Sequence, residues 1–225
     1  MARKTKQLKS SKSNSEKVAE ILLKIKAVTL SPKEPYKFAS GILSPVYVDC
    51  RLLMSYPKER ATIISLYAKA IKSTGKFDVI AGTATAGIPH AAWIADKLKL
   101  PMIYVRGKVK DHGKGNQIEG KLIKKQKAAV IEDLISTGES STETVRAIRK
   151  KGGNAYHIFS IITYGMKKSR ENFNKWKIKL ISLTDFPTVV KVAEQIGYIK
   201  SKDKDLILQW TNDPVSWGRK MGFEK

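Results

Sequence analysis

The sequence has few residues that could form disulfides or metal sites. Cys50 is the only cysteine among 225 residues, which excludes an internal disulfide and any zinc site built from several cysteines. The histidines, His90, His112 and His157, lie far apart without metal-ligand spacing. Such sparse cysteine usage is typical of a reducing compartment, so we expect a cytoplasmic protein.

Long hydrophobic runs are also missing. The longest apolar stretches are much shorter than the roughly 20 residues of a membrane-spanning helix, and the charged first residues lack the apolar centre of a secretory signal. We therefore expect no membrane segment. Hydrophobic residues still make up 42% of the chain, which is enough for one sizeable core. The sequence predicts a basic disordered tail at residues 1–13 and a single domain at residues 14–225.

Acidic residues are scarce. The 20 aspartates and glutamates face 43 lysines and arginines, giving a net charge of +23, and this raises the alternative of a nucleic-acid binder. Residues 1–12 carry five of the basic side chains, yet the rest of the chain keeps +18. Only eight basic residues are arginine, the side chain whose planar fork reads bases. General lysine enrichment is favoured, and we expect no nucleic-acid partner.

Capping residues predict two helices in the first third of the chain. Ser13 and Glu16 form the pattern of a capping box, and apolar residues follow it at helical spacing. The second predicted helix has Ser55 as its cap and Pro57 in its first turn, and it ends at Gly75. The apolar stripes of both helices indicate core packing.

Five short runs rich in branched and aromatic residues occupy the rest of the chain. Several are apolar without alternation, which indicates strands buried on both faces. Helical patterns lie between them at residues 91–98, 142–151 and 168–175. This order predicts an α/β fold with a mostly parallel central sheet flanked by helices, and a ligand crevice at the carboxyl ends of its strands. The predicted strands are FDVIAG (77–82), LPMIYV (100–105), KAAVIED (127–133), AYHIFSIITY (155–164) and KIKLISLTD (177–185).

The stretch AVIEDLISTGESS (129–141) combines a strand, two acids and a turn of hydroxyls around Gly138. Glu132 and Asp133 are expected where the strand emerges, and the turn precedes a helix. Free N–H groups at a helix start bind anions, and the carboxylates could accept bonds from sugar hydroxyls or order a hydrated Mg²⁺. A phosphorylated sugar fits this combination better than the alternative of a simple helix cap.

Two other loops could contact such a ligand. AGTATAGIPHA (81–91) supplies small residues after a strand, and Ile88 and Pro89 exclude an ATP-binding P-loop there. Taken alone, this loop fits ligand binding and a plain connection equally well. YVRGKVKDHGKGNQIEGK (104–121) carries basic residues among glycines, a pattern typical of a mobile loop that closes over a polyanion. A solvated lysine loop would look similar.

Together these segments resemble a known family. The diacid and its turn resemble the ribose-phosphate motif of type I phosphoribosyltransferases, which use 5-phosphoribosyl-1-diphosphate (PRPP). FASGILSPVYVDCR (38–51) is similar to the amino-terminal segment of the orotate phosphoribosyltransferases, and residues 104–121 are similar to their lid loop. GYIKSKDKDLILQW (197–210) and DPVSWG (213–218) resemble bacterial members. The resemblance implies the type I fold with a small amino-terminal hood segment.

The same resemblance implies an enzyme of pyrimidine synthesis that joins orotate to PRPP, giving orotidine 5′-monophosphate and diphosphate. Mg²⁺ is implied as a cofactor held mainly through PRPP and waters, without direct protein ligands. A homodimer is implied, with each lid reaching the neighbouring subunit's site. The implied catalytic residues are Lys110, the main one, with His112 and Asp133. The implied PRPP-binding residues are Thr83, Ala84, Thr85, Ala86, Gly87, Arg106, Lys110, His112, Glu132, Asp133, Leu134, Ile135, Ser136, Thr137, Gly138, Glu139 and Ser140. The implied orotate-binding residues are Ser136, Ser40, Gly41, Tyr47 and Arg51.

Four departures from the family pattern and two alternatives remain. Some family members have lysine directly after the lid arginine, where this chain has Gly107, and many have lysine just before the first Ser-Gly, where this chain has Ala39. Glu139 replaces the usual second glycine of the turn, and we expect its side chain to point outward at the start of the helix. The arginine that some members use for orotate has no clear counterpart after Ile161 and Ile162. A phosphoribosyltransferase for a purine or another base would share the diacid turn but not this lid. A PRPP-sensing nucleic-acid regulator would explain the charge of +23.

Overall fold

The computed structural model describes residues 12–107 and 117–223. These residues form a six-stranded sheet and two two-stranded sheets. Residues 1–11 of the predicted tail lie outside the described residues. Within the described ranges, no helix is both long enough and apolar enough to cross a membrane. The strands are β1 (Val28–Leu30), β2 (Tyr36–Lys37), β3 (Leu43–Ser44), β4 (Val46–Val48), β5 (Val79–Thr83), β6 (Met102–Val105), β7 (Ile118–Glu119), β8 (Lys127–Ile135), β9 (Asn154–Thr163) and β10 (Lys179–Asp185). The α-helices are α1 (Asn14–Lys24), α2 (Pro57–Thr74), α3 (Gly87–Leu98), α4 (Glu139–Lys150), α5 (Lys167–Lys175), α6 (Phe186–Gln195), α7 (Lys204–Gln209) and α8 (Pro214–Lys220), and 3₁₀ helices span Cys50–Ser55 and Ser201–Asp203.

The large sheet has the strand order β10-β9-β8-β5-β6-β7. Its strands pair in parallel except for the antiparallel pair of β6 and β7. The five predicted strands correspond to β5, β6, β8, β9 and β10. Strand β7 was not predicted, because two residues carry no periodic pattern.

Both faces of this sheet are buried, as β8 illustrates. Ala129 and Ile131 pack into a core with residues of α1, α2, α3 and α6. Ala128 and Val130 pack on the opposite face with residues of α4 and α5. Each large apolar side chain buried in this way contributes about 1.5–3 kcal/mol. Burial of both faces explains why these strands lack polar alternation.

The ends of α1 and α2 test the predicted caps. Ser13 Oγ accepts a hydrogen bond from the Glu16 amide at 3.2 Å, and the Glu16 carboxylate accepts one from the Ser13 amide at 2.9 Å. The predicted capping box is therefore confirmed. The predicted Ser55 cap is wrong: Ser55 ends a 3₁₀ helix, and Tyr56 occupies the cap position of α2 without a side-chain bond. Gly75 follows α2, as predicted.

The amino-terminal hood, β1 to β4, packs against the carboxy-terminal segment. Strand β1 pairs with β4 and β2 with β3, both antiparallel. Trp210 is buried and donates its indole N–H to the Leu43 carbonyl at 3.0 Å. Its ring makes edge contacts with Phe38 at 6.3 Å and with Tyr164 at 5.1 Å between centroids. These contacts place both ends of the chain beside the end of β9.

Strand β8 is longer than expected, and its length defines the crevice. The diacid was expected where the strand emerges, but β8 continues through Glu132 and Asp133 to Ile135. The extension is held by β9, through pairs that include Leu134 with Ile162. On the other side, the pairing of β8 with β5 ends at Ile131. The last four residues of β8 therefore pair with β9 and extend beyond β5.

Candidate active site

Two predicted ligand loops meet at this edge of the sheet. Residues 83–87 run from the last residue of β5 to the first residue of α3, and residues 132–140 include the end of β8 and the turn into α4. Gly87 lies directly against β8, because a Cβ built on it would be 2.5 Å from the Ile131 carbonyl oxygen. The backbone of the first loop is therefore packed against the residue that precedes the diacid.

The two carboxyl groups of the diacid lie in a poorly solvated position. Glu132 is 5% exposed, and its carboxylate accepts hydrogen bonds from the Asp133 amide at 3.2 Å and the Ser140 hydroxyl at 3.4 Å. Burial raises the pKa of Glu132 well above its usual value, and the neighbouring Asp133 raises it further. Burial also raises the pKa of Asp133. The site therefore holds two acids whose charged forms lack a cationic partner within the described residues.

Tyr67 holds the backbone of the diacid in place through a hydrogen bond. This side chain of α2 is fully buried, and its hydroxyl donates to the Glu132 carbonyl oxygen at 2.6 Å. The strand pairing with β9 and this bond hold the Glu132 backbone from two directions. The carboxyl groups are thus presented by a rigid strand rather than by a loop.

The turn after β8 has the geometry of an anion cradle. Gly138 has φ of 72° and is the cap residue of α4, which begins at Glu139. Its carbonyl accepts bonds from the Thr142 amide at 3.1 Å and the Thr142 hydroxyl at 2.6 Å. The Asn172 amide group of α5 donates to the Thr137 carbonyl at 3.0 Å. These bonds use carbonyl groups, which leaves N–H groups at the start of α4 for an anion. Glu139 is exposed, as predicted.

Gly138 offers a test of this turn. In Gly138→Ala, a Cβ would lie 2.6 Å from the Phe173 ring and would force a side chain into left-handed backbone. We expect a loss of about 2–3 kcal/mol in the free energy of unfolding, measured by urea denaturation. Gly165→Ala is the matched control, because Gly165 has φ of 67° with nothing within 4 Å of the new atom. The free energy of unfolding of Gly165→Ala should fall by only about 1 kcal/mol. Equal losses in both variants would show that the Phe173 contact is unimportant.

The loop after β5 presents a free hydroxyl. Thr83 is 3% exposed, and its Oγ1 atom has no hydrogen-bond partner among the described residues. The Ala84 amide donates to the Val105 carbonyl at 2.9 Å, and the Ala84–Thr85 peptide bond is cis. Helix α3 begins at Gly87. Thr83 to Gly87, the residues predicted to bind the diphosphate, therefore lie between the ends of β6 and β8.

The predicted lid begins and ends on a pair of hydrogen-bonded residues. The Arg106 amide donates to the Gln117 carbonyl at 2.9 Å, and the Gln117 side chain donates back to the Arg106 carbonyl at 3.1 Å. Arg106 also lies 3.5 Å from a Glu119 carboxylate oxygen. Lys110 and His112, the predicted catalytic residues of the lid, lie outside the described residues.

A cavity of about 730 Å³ opens beside the phosphate turn. Ser136 and Thr137 form one side of it, and Phe38, Tyr164 and Trp210 supply aromatic surface. The sequence analysis identified Ser136 but missed the three aromatic residues as site residues. Their positions far apart in the chain gave no local pattern, and only the contact of the two chain ends brings them together.

The other residues predicted to bind orotate do not line this cavity. Ser40 and Gly41 form the turn between β2 and β3, next to Phe38, and are exposed. Tyr47 is 42% exposed, and the centroid of its ring lies 6.4 Å from the centroid of the Phe38 ring. Arg51 makes a two-bond ion pair with Asp49, at 2.7 and 3.0 Å. That hydrogen-bonded pair raises the pKa of Arg51 and lowers that of Asp49.

Comparison with known proteins identifies the family. The phosphoribosyl transferase domain model matches residues 54–195. The chain is 49% identical over 205 residues to the orotate phosphoribosyltransferase of Listeria monocytogenes (strain F2365), covering 91% of this chain and 98% of that protein. The chain belongs to the orotate phosphoribosyltransferase family. An orotate phosphoribosyltransferase of Coxiella burnetii is also 49% identical, over 201 residues, covering 89% of this chain and 96% of that protein.

Solved structures of orotate phosphoribosyltransferases agree with this result. The enzyme of Aeropyrum pernix superposes with a TM-score of 0.70 at 26% identity, covering 81% of this chain and 99% of that one. Leishmania donovani UMP synthase superposes with a TM-score of 0.73 at 26% identity, covering 87% of this chain. The match spans 42% of that longer protein. The predicted family and the predicted α/β fold class are confirmed.

Proposed function

We propose that the chain transfers the 5-phosphoribosyl group of PRPP to orotate, giving orotidine 5′-monophosphate and diphosphate. This is a pentosyltransferase step of pyrimidine synthesis. The observation that carries the proposal is the meeting of the diacid, the anion turn and the loop 83–87 at one edge of the sheet, in a chain with close relatives of that name. A phosphorylated sugar that also carries a diphosphate fits all three parts.

Each part of PRPP has a place in this arrangement. Glu132 and Asp133 accept hydrogen bonds from the ribose hydroxyls. The turn from Ser136 to Ser140 binds the 5′-phosphate through the amide groups at the start of α4. The loop from Thr83 to Gly87 lines the diphosphate, with the unpartnered Thr83 hydroxyl available as a donor. Leu134 and Ile135 complete the strand between the diacid and the turn.

The reaction needs positioning and charge stabilisation rather than a covalent intermediate. The bond between the ribose C1 atom and the diphosphate oxygen breaks largely ahead of attack by the orotate ring nitrogen. Arg106, Lys110 and His112 of the lid stabilise the negative charge that develops on the departing diphosphate. Holding both reactants in one crevice supplies much of the remaining acceleration.

Mg²⁺ is the proposed cofactor. Among the described residues, no group of three or more histidine, cysteine, aspartate or glutamate side chains could hold a metal ion. The half-buried carboxyl of Asp133 and that of Glu132 suit a hydrated ion that is held mainly by the substrate. When bound, the ion would neutralise charge on the diphosphate.

We also propose a homodimer in which the lid of one subunit reaches the site of the other. Four large apolar side chains lie exposed between residues 47 and 56: Tyr47, Leu52, Met54 and Tyr56. A group of this kind supports an interface between protein copies. A cytoplasmic location stays a prediction, which the single cysteine supports.

A purified-protein assay tests the proposed activity. Orotate with PRPP and Mg²⁺ should lose its ultraviolet absorbance as orotidine 5′-monophosphate forms, and purine bases should give no turnover. Turnover with a purine base but not with orotate would contradict the proposal. Absence of turnover together with salt-sensitive, sequence-selective nucleic-acid binding would favour the regulator instead.

Lys110 carries the expected main catalytic charge. Lys110→Ala should lower kcat about 100-fold, since loss of one group that stabilises developing charge costs about this much. The melting temperature should stay unchanged. Lys97→Ala, which removes an exposed charge from α3, is the control and should keep full activity. An unchanged kcat in Lys110→Ala would show that another residue supplies the main catalytic charge.

A further inference from the structure

The cavity beside the phosphate turn contains cations that no assigned role uses. Its walls include Phe38, Tyr164 and Trp210, and its rim includes Lys167 and Lys168 at the start of α5. An aromatic lining suits a planar ring, and about 730 Å³ is ample for one. This inference rests on the proposed function, in which orotate is the acceptor.

Orotate differs from uracil by a carboxylate, and a site that selects orotate needs a partner for this charge. A carboxylate that enters a largely apolar cavity without a cation loses its hydration without compensation. The end of β9, which borders the cavity, supplies no basic side chain for this charge. The residues at that position are Thr163 and Tyr164. Tyr164 is 5% exposed, and burial raises its pKa, so it remains a neutral phenol.

The two lysines of the rim are not equivalent. Lys167 lies 3.7 Å from a carboxylate oxygen of Glu171, one helical turn along α5. Lys168 has no carboxylate within ion-pair distance among the described residues, and its exposed side chain lies at the rim of the cavity. We propose that Lys168 binds the carboxylate of orotate and determines the preference for an acidic pyrimidine.

The 5′-phosphate of PRPP is the other anion that could reach this rim. The aromatic lining argues against it, because a doubly charged phosphate would gain nothing from Phe38 and Trp210. The phosphate also has its own cradle at the start of α4, which begins at Glu139. Lys168 therefore acts on the acceptor and not on the donor.

Steady-state kinetics separate these roles. Lys168→Met should raise the KM for orotate about 10- to 100-fold, the range expected for one charge-assisted hydrogen bond. The KM for PRPP should change less than about threefold, which is within the effect of a distant surface charge. Lys168→Arg should restore most of the orotate affinity because it keeps the charge. An unchanged KM for orotate, or an equal rise in the KM for PRPP, would overturn the proposal.

A matched control removes both charges of the neighbouring ion pair between Lys167 and Glu171. Lys167→Met combined with Glu171→Gln deletes the ion pair, keeps the net charge and leaves Lys168 in place. Its KM for orotate should match that of the wild type. A rise in the KM for orotate equal to that of Lys168→Met would show that any change of charge on α5 weakens orotate binding. That result would contradict a specific role for Lys168.

Competition by uracil gives a second readout. The wild type should bind orotate much more tightly than uracil, and Lys168→Met should lose most of this difference, because only orotate carries the carboxylate. Wild-type protein that does not turn over orotate would refute the proposed function itself. Wild-type turnover with full discrimination retained in Lys168→Met would refute the role of Lys168 alone.

Discussion

The double variant Glu132→Gln with Asp133→Asn is expected to lose activity and gain stability. Each carboxylate that accepts a bond from a ribose hydroxyl contributes about 1.5–3 kcal/mol as a charged acceptor. Replacing both should therefore lower kcat/KM about 10²- to 10⁴-fold. At pH 8 the melting temperature should rise, by about 2–4 °C for each kcal/mol gained.

The gain in stability follows from the raised pKa values of the two acids. Burial raises the pKa of Glu132 and of Asp133 in the folded protein. A carboxyl with a raised pKa binds its proton more tightly in the folded state than in the unfolded state. Folding therefore becomes less favourable as the pH rises from the ordinary value, 4.5 for Glu132, towards the raised one. The neutral amides avoid this cost, so the difference from the wild type should be large at pH 8 and small near pH 4.

Thermal unfolding across this pH range checks the stability half of the prediction. Glu143→Gln is the control, since Glu143 is an exposed acid on α4 and its replacement should change neither activity nor melting temperature. Saturating PRPP should raise the melting temperature of the wild type more than that of the double variant. A double variant that is less stable than the wild type at pH 8 would show that the carboxylates serve the fold.

Gly87→Ala is expected to lower both the stability and the activity of the protein. The added Cβ would lie 2.5 Å from the Ile131 carbonyl oxygen and 3.6 Å from the Glu132 Cα atom. Neither α3 nor β8 can yield locally, because both belong to the core of the sheet. The free energy of unfolding should fall by about 2–3 kcal/mol. Displacement of the diacid should also lower kcat/KM about 100-fold.

Gly107→Ala is the stability control for this substitution. Gly107 has ordinary backbone geometry, and no atom of the described residues lies within 4 Å of an added Cβ. The melting temperature of Gly107→Ala should therefore equal that of the wild type. Urea denaturation and PRPP kinetics of Gly87→Ala complete the test. If Gly87→Ala keeps wild-type stability, the start of α3 and strand β8 can move apart at little cost, despite the close contact with the Ile131 carbonyl oxygen.

Local patterns predicted the central sheet well. The apolar runs of β5, β8 and β9 are buried on both faces, so their type did not depend on distant contacts. Gly75 and the capping box of Ser13 also act locally. The Ser55 prediction failed because the preceding residues form a 3₁₀ helix, which a cap pattern does not reveal.

Features that depend on distant contacts were harder to predict. The end of β8 was placed too early because its last residues are held by β9, as in the pair of Leu134 with Ile162. The diacid and the turn were identified as a phosphoribosyl site, since they are adjacent in sequence. The cavity wall was not, because Phe38 and Trp210 meet only through the folded ends of the chain.

The hydrogen bond from Trp210 to the Leu43 carbonyl joins two segments that are far apart in the sequence. The two halves of the site are therefore built from different parts of the chain. The donor half of the crevice comes from the middle of the chain, whereas Phe38 and Trp210 of the proposed acceptor wall come from segments nearer its two ends. Changes near either terminus can therefore alter which base is accepted while the PRPP machinery stays intact. Acceptor preference in this architecture can evolve, or be engineered, separately from the chemistry.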